Sequence, residues 1–302
     1  MSSAPATGTE APDRVAESVS FSKKAQLART ADETLTRSAT EKDADRVAES
    51  VSFSKIAQPA LDVDETLTRS ATGGDAAWLC GLLQAGDSFY PTGSYAHSFG
   101  LEGLVQANVV RDRATLREFL FRSVVPALRQ SDLPLAIHAW KAFDENDWMK
   151  LGEICQLTAA LKTSREARLA SDNIGRQRAE LVANLRHDPQ AKRYLECASA
   201  GGWPFSPAVS AALEGRSLGA PLVAVLSGMT YATFASVLSA AMKLLRLGQN
   251  ASHSLLTEAL AEAPAIIAAA ELVSFDEIGW FNPWLDIAAA RHETADSRMF
   301  IS

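Results

Sequence analysis

Residues 84–102 read QAGDSFYPTGSYAHSFGLE, and they interrupt an otherwise helical pattern with a segment rich in turn residues. Pro91, Gly93 and Gly100 break any helical period. The segment also carries polar groups that a plain loop of this length does not need, namely Asp87, Thr92, Ser94, His97, Ser98 and Glu102. We therefore predict an irregular loop that forms a site or contacts a partner, with a purely structural turn as the alternative.

The chain around this loop has the pattern of a helical domain. From residue 75 onward apolar residues recur at helical spacing, as in the stripe Leu116, Phe119, Leu120 and Val124 and the stripe Trp148, Leu151, Cys155, Thr158 and Leu161. No short run rich in Val, Ile and Thr is bounded as a strand should be. The sequence predicts an all-α fold, a single helical-bundle domain of about nine or ten helices over residues 75–302.

Capping signals predict several helix boundaries. Ser206 and Pro207 are typical of an N-cap and first turn, and Pro264 and Pro283 are typical first-turn prolines. We expect Gly215 to end a short helix. We also expect a long helix to end at Gly248 and the next to begin after Asn250, with Ser252 as its cap.

Composition limits the possible partners and the compartment. The 302 residues carry 29 basic and 36 acidic side chains, a net charge of -7, which does not favour binding to nucleic acid or to an anionic membrane. Cys80, Cys155 and Cys197 contain no CxxC pair, which argues against a disulfide framework and a cysteine zinc site. The N-terminus lacks the basic start and apolar stretch of a secretory signal. We expect a cytoplasmic protein whose partner is another protein or a small molecule.

Residues 217–242 carry no charge over 26 positions, a length that could cross a bilayer. Ser, Thr and Gly residues dilute the hydrophobicity of this segment and would let helices approach closely. We predict a buried central helix of a soluble bundle.

The first quarter of the chain contains a tandem duplication. Residues 13–40 recur at 45–72 with a period of 32 residues and 23 of 28 positions identical. Two copies are too few for a solenoid. We predict a largely disordered tail over residues 1–74, either without a dedicated role or presenting a docking peptide twice.

Catalytic and metal motifs are weak in this chain. Residues 96–100, AHSFG, are close to the G-x-S-x-G elbow of α/β-hydrolases, and Asp286 and His292 follow in the hydrolase order, but the required strand is missing before Ser98. The five histidines show no i, i+4 pair, and residues 292–296 lack the second histidine of HExxH. No G-x-x-x-x-G-K-[ST] loop occurs, so the chain should not hydrolyse GTP alone.

Two further segments carry candidate residues. On the predicted helix over residues 161–181, Arg165, Arg168, Asp172 and Arg176 are spaced for ion pairing, and a solvated helix face is the plain interpretation. The chain ends LDIAAARHETADSRMFIS, which concentrates hydrogen-bonding groups that an ordinary frayed terminus would not need. We expect this terminus and the 91–102 loop to lie at opposite ends of the apolar helical body.

Four stretches together resemble the urease accessory protein family UreF. The loop is similar to the family pattern QLADSxxPxGxFxHSxGLE, and the terminus is similar to LDIASMRHExxxSRLFRS, with Ile301 in place of the penultimate arginine. Arg165-Glu166, Ser171 and Gly175-Arg176 resemble a family helix, and residues 247–249 match its LGQ element. The resemblance covers residues 78–302 and leaves only the duplicated tail outside.

This resemblance implies a helical, dimeric, non-enzymatic chaperone with no catalytic residues and no stably bound cofactor or metal. Such a protein joins UreD (or UreH) and recruits the UreG GTPase, so that the complex handles nickel for apo-urease and the GTPase binds GTP. The implied partner and dimer contacts are Pro91, Thr92, Gly93, Tyr95, His97, Ser98, Glu102, Arg165, Glu166, Arg176, Gln249, Arg291, His292, Glu293, Ser297 and Arg298. A helical adaptor that has lost urease maturation is the alternative.

Overall fold

The computed structural model describes residues 76–94, 97–292, 295 and 298–300. The predictions for the tail over residues 1–74 lie outside these residues, as do those for Tyr95, Glu293, Ser297 and Ile301. Within the described ranges all regular elements are helical, and ten α-helices have nine residues or more. The predicted all-α bundle is therefore confirmed.

The helices follow one another along the chain as α1 (Ala77–Gly86), α2 (Leu101–Gln106), α3 (Arg113–Phe119), α4 (Val125–Ala127), α5 (Leu133–Glu145), α6 (Trp148–Ala160), α7 (Arg165–Leu185), α8 (Pro189–Gly201), α9 (Pro207–Ser217), α10 (Leu222–Leu244), α11 (Gln249–Ala261), α12 (Ala263–Glu271) and α13 (Pro283–His292). Two π-helical segments, Leu120–Val124 and Leu128–Asp132, join α3, α4 and α5 without a break. A 3₁₀ turn, Phe275–Glu277, precedes α13.

Local side-chain caps explain where many of these helices begin. At the start of α7, α8 and α9 the side chains of Ser164, Asp188 and Ser206 each accept a hydrogen bond from the backbone N–H three residues later. Pro207 and Pro264 occupy the first turn of their helices, and α13 begins at Pro283. The boundaries predicted from these residues are confirmed.

Two predicted helix ends are wrong. Helix α9 continues past Gly215 to Ser217. Glycine stands at position 215 because α10 approaches closely there: an added Cβ would lie 2.2 Å from Val225 Cγ2. Helix α10 ends at Leu244, and Gly248 is the N-cap of α11 rather than a C-terminal stop. Ser252 lies inside α11 and is buried, so it does not cap that helix.

The core forms around α9, which packs against α5 and α7. Both predicted apolar stripes face inward: Leu116, Leu120, Leu151 and Cys155 are fully buried. Helices α7 and α9 approach closely, since a Cβ at Gly175 would lie 2.7 Å from the backbone N of Ser206. The Ser210 hydroxyl donates to the Gly175 carbonyl across 2.7 Å, which fixes the register of the two helices.

Helix α10 is less buried than its sequence predicts. It contacts α1, α2, α5, α9, α11 and α12. By length and composition it could cross a membrane, yet only 33% of its most apolar window is buried in the protein. The core helix of a soluble protein passes the same test of length and composition. The expectation of a buried central helix holds for one face, because Val225, Phe234 and Val237 are buried while Val223 and Tyr231 are exposed.

Candidate partner-binding site

The loop between α1 and α2 begins with a structured turn. The Asp87 side chain accepts a hydrogen bond from the Phe89 N–H at 2.7 Å, and the Asp87 carbonyl accepts one from the Tyr90 N–H at 3.0 Å. The loop ends at Gly100, whose φ of 78° is a left-handed conformation that glycine adopts without strain. An added Cβ there would lie 2.5 Å from Leu285 Cδ1, so α13 packs directly on the loop.

Ser98 is a buried structural hydroxyl. Its Oγ accepts a hydrogen bond from the Glu102 N–H at 3.3 Å, and its carbonyl accepts one from the Leu101 N–H, so it holds the first turn of α2. The hydrolase elbow requires a strand before the serine. No strand occurs among the residues that the structure describes, and Asp286 instead accepts from Thr163 Oγ1 at 2.8 Å. The described structure therefore does not support a hydrolase elbow at Ser98.

The Glu102 carboxylate is the centre of the site. It is buried and accepts hydrogen bonds from the backbone N–H groups of Met299 and Phe300 at 2.7 and 2.9 Å. His292 Nε2 lies 2.9 Å from the same carboxylate. A residue at the start of α2 therefore holds the end of α13 and the C-terminal segment.

Glu166 extends this network from α7. Its Oε2 lies 3.2 Å from His292 Nδ1, and its Oε1 accepts from Arg298 Nη1 at 2.9 Å. Both ring nitrogens of His292 thus face carboxylates, and both hydrogen bonds form only when the ring carries two protons. We refer to Glu102, Glu166, His292 and Arg298 as the terminal node.

Burial and hydrogen bonding have opposite effects on the carboxylate at the centre of the node. Burial alone would raise the pKa of Glu102, but the hydrogen bonds from Met299, His292 and Phe300 outweigh it and lower that pKa. Nearby, burial lowers the pKa of His97, and the negative charge of Glu166 offsets only part of that effect. The node therefore holds an ionised carboxylate, and His97 is a buried neutral imidazole near neutral pH.

Close packing of α13 on α2 brings the node together. A Cβ at Gly103 would lie 2.7 Å from the backbone oxygen of Ala288, so only glycine allows the observed approach. The inner face of α13, formed by Leu285, Ala288 and His292, points to the loop and the node. The spacing of i, i+3 and i+7 is that of one helix face.

The outer face of α13 is exposed and apolar. Trp284 and Ile287 are 75% and 47% exposed, and Arg291 follows on the same face. Phe281, just before the helix, is 72% exposed, and Met299 next to the node is also exposed. Large apolar groups displayed together in this way are typical of a protein interface.

The structure brings six of the predicted contact residues together, namely His97, Ser98, Glu102, Glu166, His292 and Arg298. The expectation that the loop and the terminus lie at opposite ends of the domain is wrong, because Gly100 of the loop contacts α13 and the terminal residues Met299 and Phe300 donate to Glu102 at the start of α2. Other predicted residues lie elsewhere: Arg176 is exposed on α7 beside Asp172, and Gln249 is exposed at the start of α11. Pro91, Gly93, Arg165 and Arg291 are exposed, while Thr92 is buried.

Sequence reasoning missed a second buried ionic group beneath the loop. Glu214 on α9 accepts a hydrogen bond from the Tyr90 hydroxyl at 2.6 Å and lies close to Arg178 of α7 and to Arg186, the C-cap residue of that helix. One signal could have found it. Glu214 stands in the last turn of its helix, where the helix dipole disfavours a negative charge and a positive partner is therefore expected.

Metal ligands are not gathered at either ionic group. Among the described residues no set of three His, Cys, Asp or Glu side chains could hold a metal ion. The three cysteines, Cys80, Cys155 and Cys197, are free. The described side chains of the site are hydrogen-bonding and apolar groups.

Comparison with known proteins gives the family of this chain. The UreF family model matches residues 110–260. Urease accessory protein UreF of Paenarthrobacter aurescens (strain TC1) is 30% identical over 227 residues, covering 75% of this chain and 99% of the relative. Its counterpart in Arthrobacter sp. (strain FB24) is 31% identical over 221 residues, 73% of this chain and 96% of the relative. Urease accessory protein UreF 2 of Brucella canis is 31% identical over 222 residues, 73% of this chain and 90% of the relative. The chain therefore belongs to the UreF family of urease accessory proteins.

Proposed function

We propose that this chain is a non-enzymatic scaffold of urease maturation in the cytoplasm. In this proposal it forms a homodimer, joins a UreD or UreH protein, and recruits the UreG GTPase. The assembled complex then delivers nickel to apo-urease. The names of the relatives support the role in urease maturation, and the resemblance to the family supplies the partners.

The single observation that carries the proposal is the outer face of α13 beside the docked C-terminal segment. Trp284 and Ile287 project from a helix whose inner face is fixed by Glu102 and by contact with Gly103. A partner that covers this face meets a preorganised surface and does not have to order it first. Exposed aromatic side chains on rigid elements carry a large share of binding energy at such interfaces.

The motifs of this chain indicate which steps of nickel delivery we assign to its partners. It has no phosphate-binding loop for GTP, so the nucleotide is assigned to the partner GTPase. Nickel is cargo of the complex, and we assign no stable nickel ligands to this chain. Binding surfaces, rather than reactive side chains, are its contribution.

The proposal is tested by reconstituting urease maturation with substitutions on the α13 face. A Trp284→Glu variant places a charge where the partner would bury an aromatic ring. We expect a loss of about 2 kcal/mol or more of binding free energy, which lowers the affinity for the partner accessory protein roughly thirtyfold. The readouts are co-purification of the accessory proteins and nickel-dependent urease activity.

Met149→Glu is the matched control, because Met149 is 81% exposed and lies on α6, outside the α13 face. We expect it to leave co-purification and urease activity unchanged. Full urease activity in a urease-positive host that lacks this gene would overturn the proposal. In that case an adaptor with the same fold and another task would replace it.

A further inference from the structure

A buried ionic cluster lies beneath the start of the loop between α1 and α2. Glu214 of α9 is buried, and its Oε1 accepts a hydrogen bond from the Tyr90 hydroxyl at 2.6 Å. Arg178 Nε lies 2.9 Å from Glu214 Oε2, and Arg186 Nη2 lies 3.6 Å from Oε1. One carboxylate therefore faces two guanidinium groups and one phenol.

This cluster reaches the two segments that lead into the loop. The Arg178 Nη2 donates to the Ala85 carbonyl at 3.1 Å, and that carbonyl belongs to the last turn of α1. The Tyr90 backbone N–H donates to the Asp87 carbonyl within the turn that displays Phe89. The end of α1 and the start of the loop are thus both tied to Glu214, directly or through Arg178.

Two large apolar side chains in this part of the fold face solvent, so the ionic cluster supplements its apolar packing. The side chain of Phe89, beside Tyr90, is almost fully exposed, and Leu83 on α1 is also exposed. The cluster carries one negative and two positive charges. Within the described part of the chain, Arg178 Nε, Glu214 Oε2, and Nε and Nη2 of Arg186 are buried without a hydrogen-bond partner, so the two arginines contact Glu214 as ion pairs. Burying an incompletely paired charge is costly, and in some proteins such groups are retained because they fix a specific conformation.

The protonation state of Tyr90 suits a positioning role. Burial, together with the charge of Glu214, raises the pKa of the Tyr90 phenol well above 10. The hydroxyl therefore stays protonated and can only donate to the carboxylate, which fixes the direction of the hydrogen bond. A phenylalanine ring would fill the same space without this tie.

We propose that Glu214 is a positioning residue for the loop between α1 and α2: through Tyr90 and Arg178 it sets how residues 87–94 and 97–102 are presented. The proposal rests on the scaffold function proposed above, and it takes the loop, which the sequence predicts as a partner contact, as part of that scaffold's binding surface. The opposite end of the loop is held at Ser98, whose buried hydroxyl accepts a hydrogen bond from the Glu102 N–H at the start of α2. Buried polar groups therefore hold both ends of the loop, and the described residues between them include Thr92 and His97.

Tyr90→Phe tests the proposal without leaving a charge unpaired, since Arg178 still faces Glu214. The loss of one buried hydrogen bond to a charged acceptor predicts amide exchange at Tyr90 and Thr92 that is about ten- to a hundredfold faster. Exchange in α5 stays at its original rate, because the ring still packs. The measurement is amide hydrogen exchange on the full chain alone.

Tyr194→Phe is the matched control, because it removes a buried hydroxyl that contacts Cys155 Sγ at 3.3 Å, away from the loop. Faster loop exchange in Tyr90→Phe but not in Tyr194→Phe supports the positioning role. Loop exchange that is unchanged, or equally fast in both variants, overturns it.

A second variant tests the other arm of the cluster. Arg178→Lys keeps the positive charge but loses the planar guanidinium that reaches Glu214 and Ala85 together. We expect faster amide exchange at the end of α1, where the Asp87 N–H donates to the Gln84 carbonyl. Unchanged exchange there would overturn the role assigned to Arg178.

Affinity for the partner accessory protein separates this inference from the proposed function. In Tyr90→Phe a loosened loop should lower that affinity about fivefold or more, by the cost of ordering the loop on binding. If the loop loosens while the affinity is unchanged, Glu214 still positions the loop, but the loop is not a partner contact. That outcome would refute a role of the loop in partner binding and would leave the positioning role of Glu214 intact.

Discussion

Glu102→Gln should release the C-terminal segment from the domain. The carboxylate accepts three hydrogen bonds, from the N–H groups of Met299 and Phe300 and from His292 Nε2. A glutamine amide has the same shape but only one acceptor oxygen, so its NH₂ group must face at least one of these donors. The substitution therefore removes one bond completely and weakens the others.

The magnitude follows from the number and type of these bonds. A hydrogen bond to a charged acceptor contributes about 1.5–3 kcal/mol, and one between neutral groups about 1 kcal/mol. Losing one charged bond and neutralising two others costs roughly 3 kcal/mol or more. At about 1.4 kcal/mol per factor of ten, amide protection of Phe300 should fall roughly a hundredfold.

The assay is amide hydrogen exchange at Met299 and Phe300, measured at neutral pH in the free protein. Glu258→Gln is the control, because Glu258 pairs with Arg117 at the surface and does not contact the terminal node. Exchange at Phe300 should be unaffected in that control. If Glu102→Gln leaves the protection of Phe300 within threefold of the original value, the carboxylate does not hold the terminus and the reasoning fails.

Two further predictions concern the packing and the pH response of the same region. Gly103→Ala should destabilise the protein by about 1–3 kcal/mol, because the added methyl group would contact the Ala288 backbone oxygen. Gly228→Ala is the control: its methyl group would meet no atom within 4 Å in α10, so thermal unfolding should show a neutral or stabilising effect. Equal effects of the two substitutions would refute close packing at Gly103. Burial lowers the pKa of His97 despite the charge of Glu166, so its folded pKa lies below the unfolded value of about 6.5. The stability from the neutral ring is complete above pH 6.5 and is lost as the pH falls toward the folded pKa. His97→Asn should therefore lose less unfolding free energy between pH 7 and pH 5 in urea titrations, and an equal loss in both proteins would contradict this assignment.

Local signals in the sequence predict where helices begin better than where they end. Ser206 and Pro207 start α9 as expected, because an N-cap acts within three or four residues of its own position. Gly215 does not end that helix, since a glycine also serves where another element approaches closely, here at Val225. That contact depends on the packing of α10, which a local pattern does not contain.

The site shows the same limit at longer range. Polar character and the family resemblance identify Glu102 and His292 one at a time. The two residues are 190 positions apart, and nothing local in the sequence shows that they are in contact. Their convergence depends on Gly103 allowing α13 to pack on α2. The sequence does not reveal that contact, so it predicts separate surfaces for the terminus and the loop, and the prediction is wrong.

The docked terminus also constrains how a partner can engage this protein. A partner that displaced residues 298–300 would remove two backbone donors from the buried carboxylate of Glu102. Leaving that group without replacements would cost about 1–3 kcal/mol for each lost donor. A partner must therefore either supply N–H or guanidinium donors to Glu102 or bind on top of the docked terminus. The exposed Trp284 and Ile287 beside it favour the second mode, because they offer apolar surface without disturbing the node.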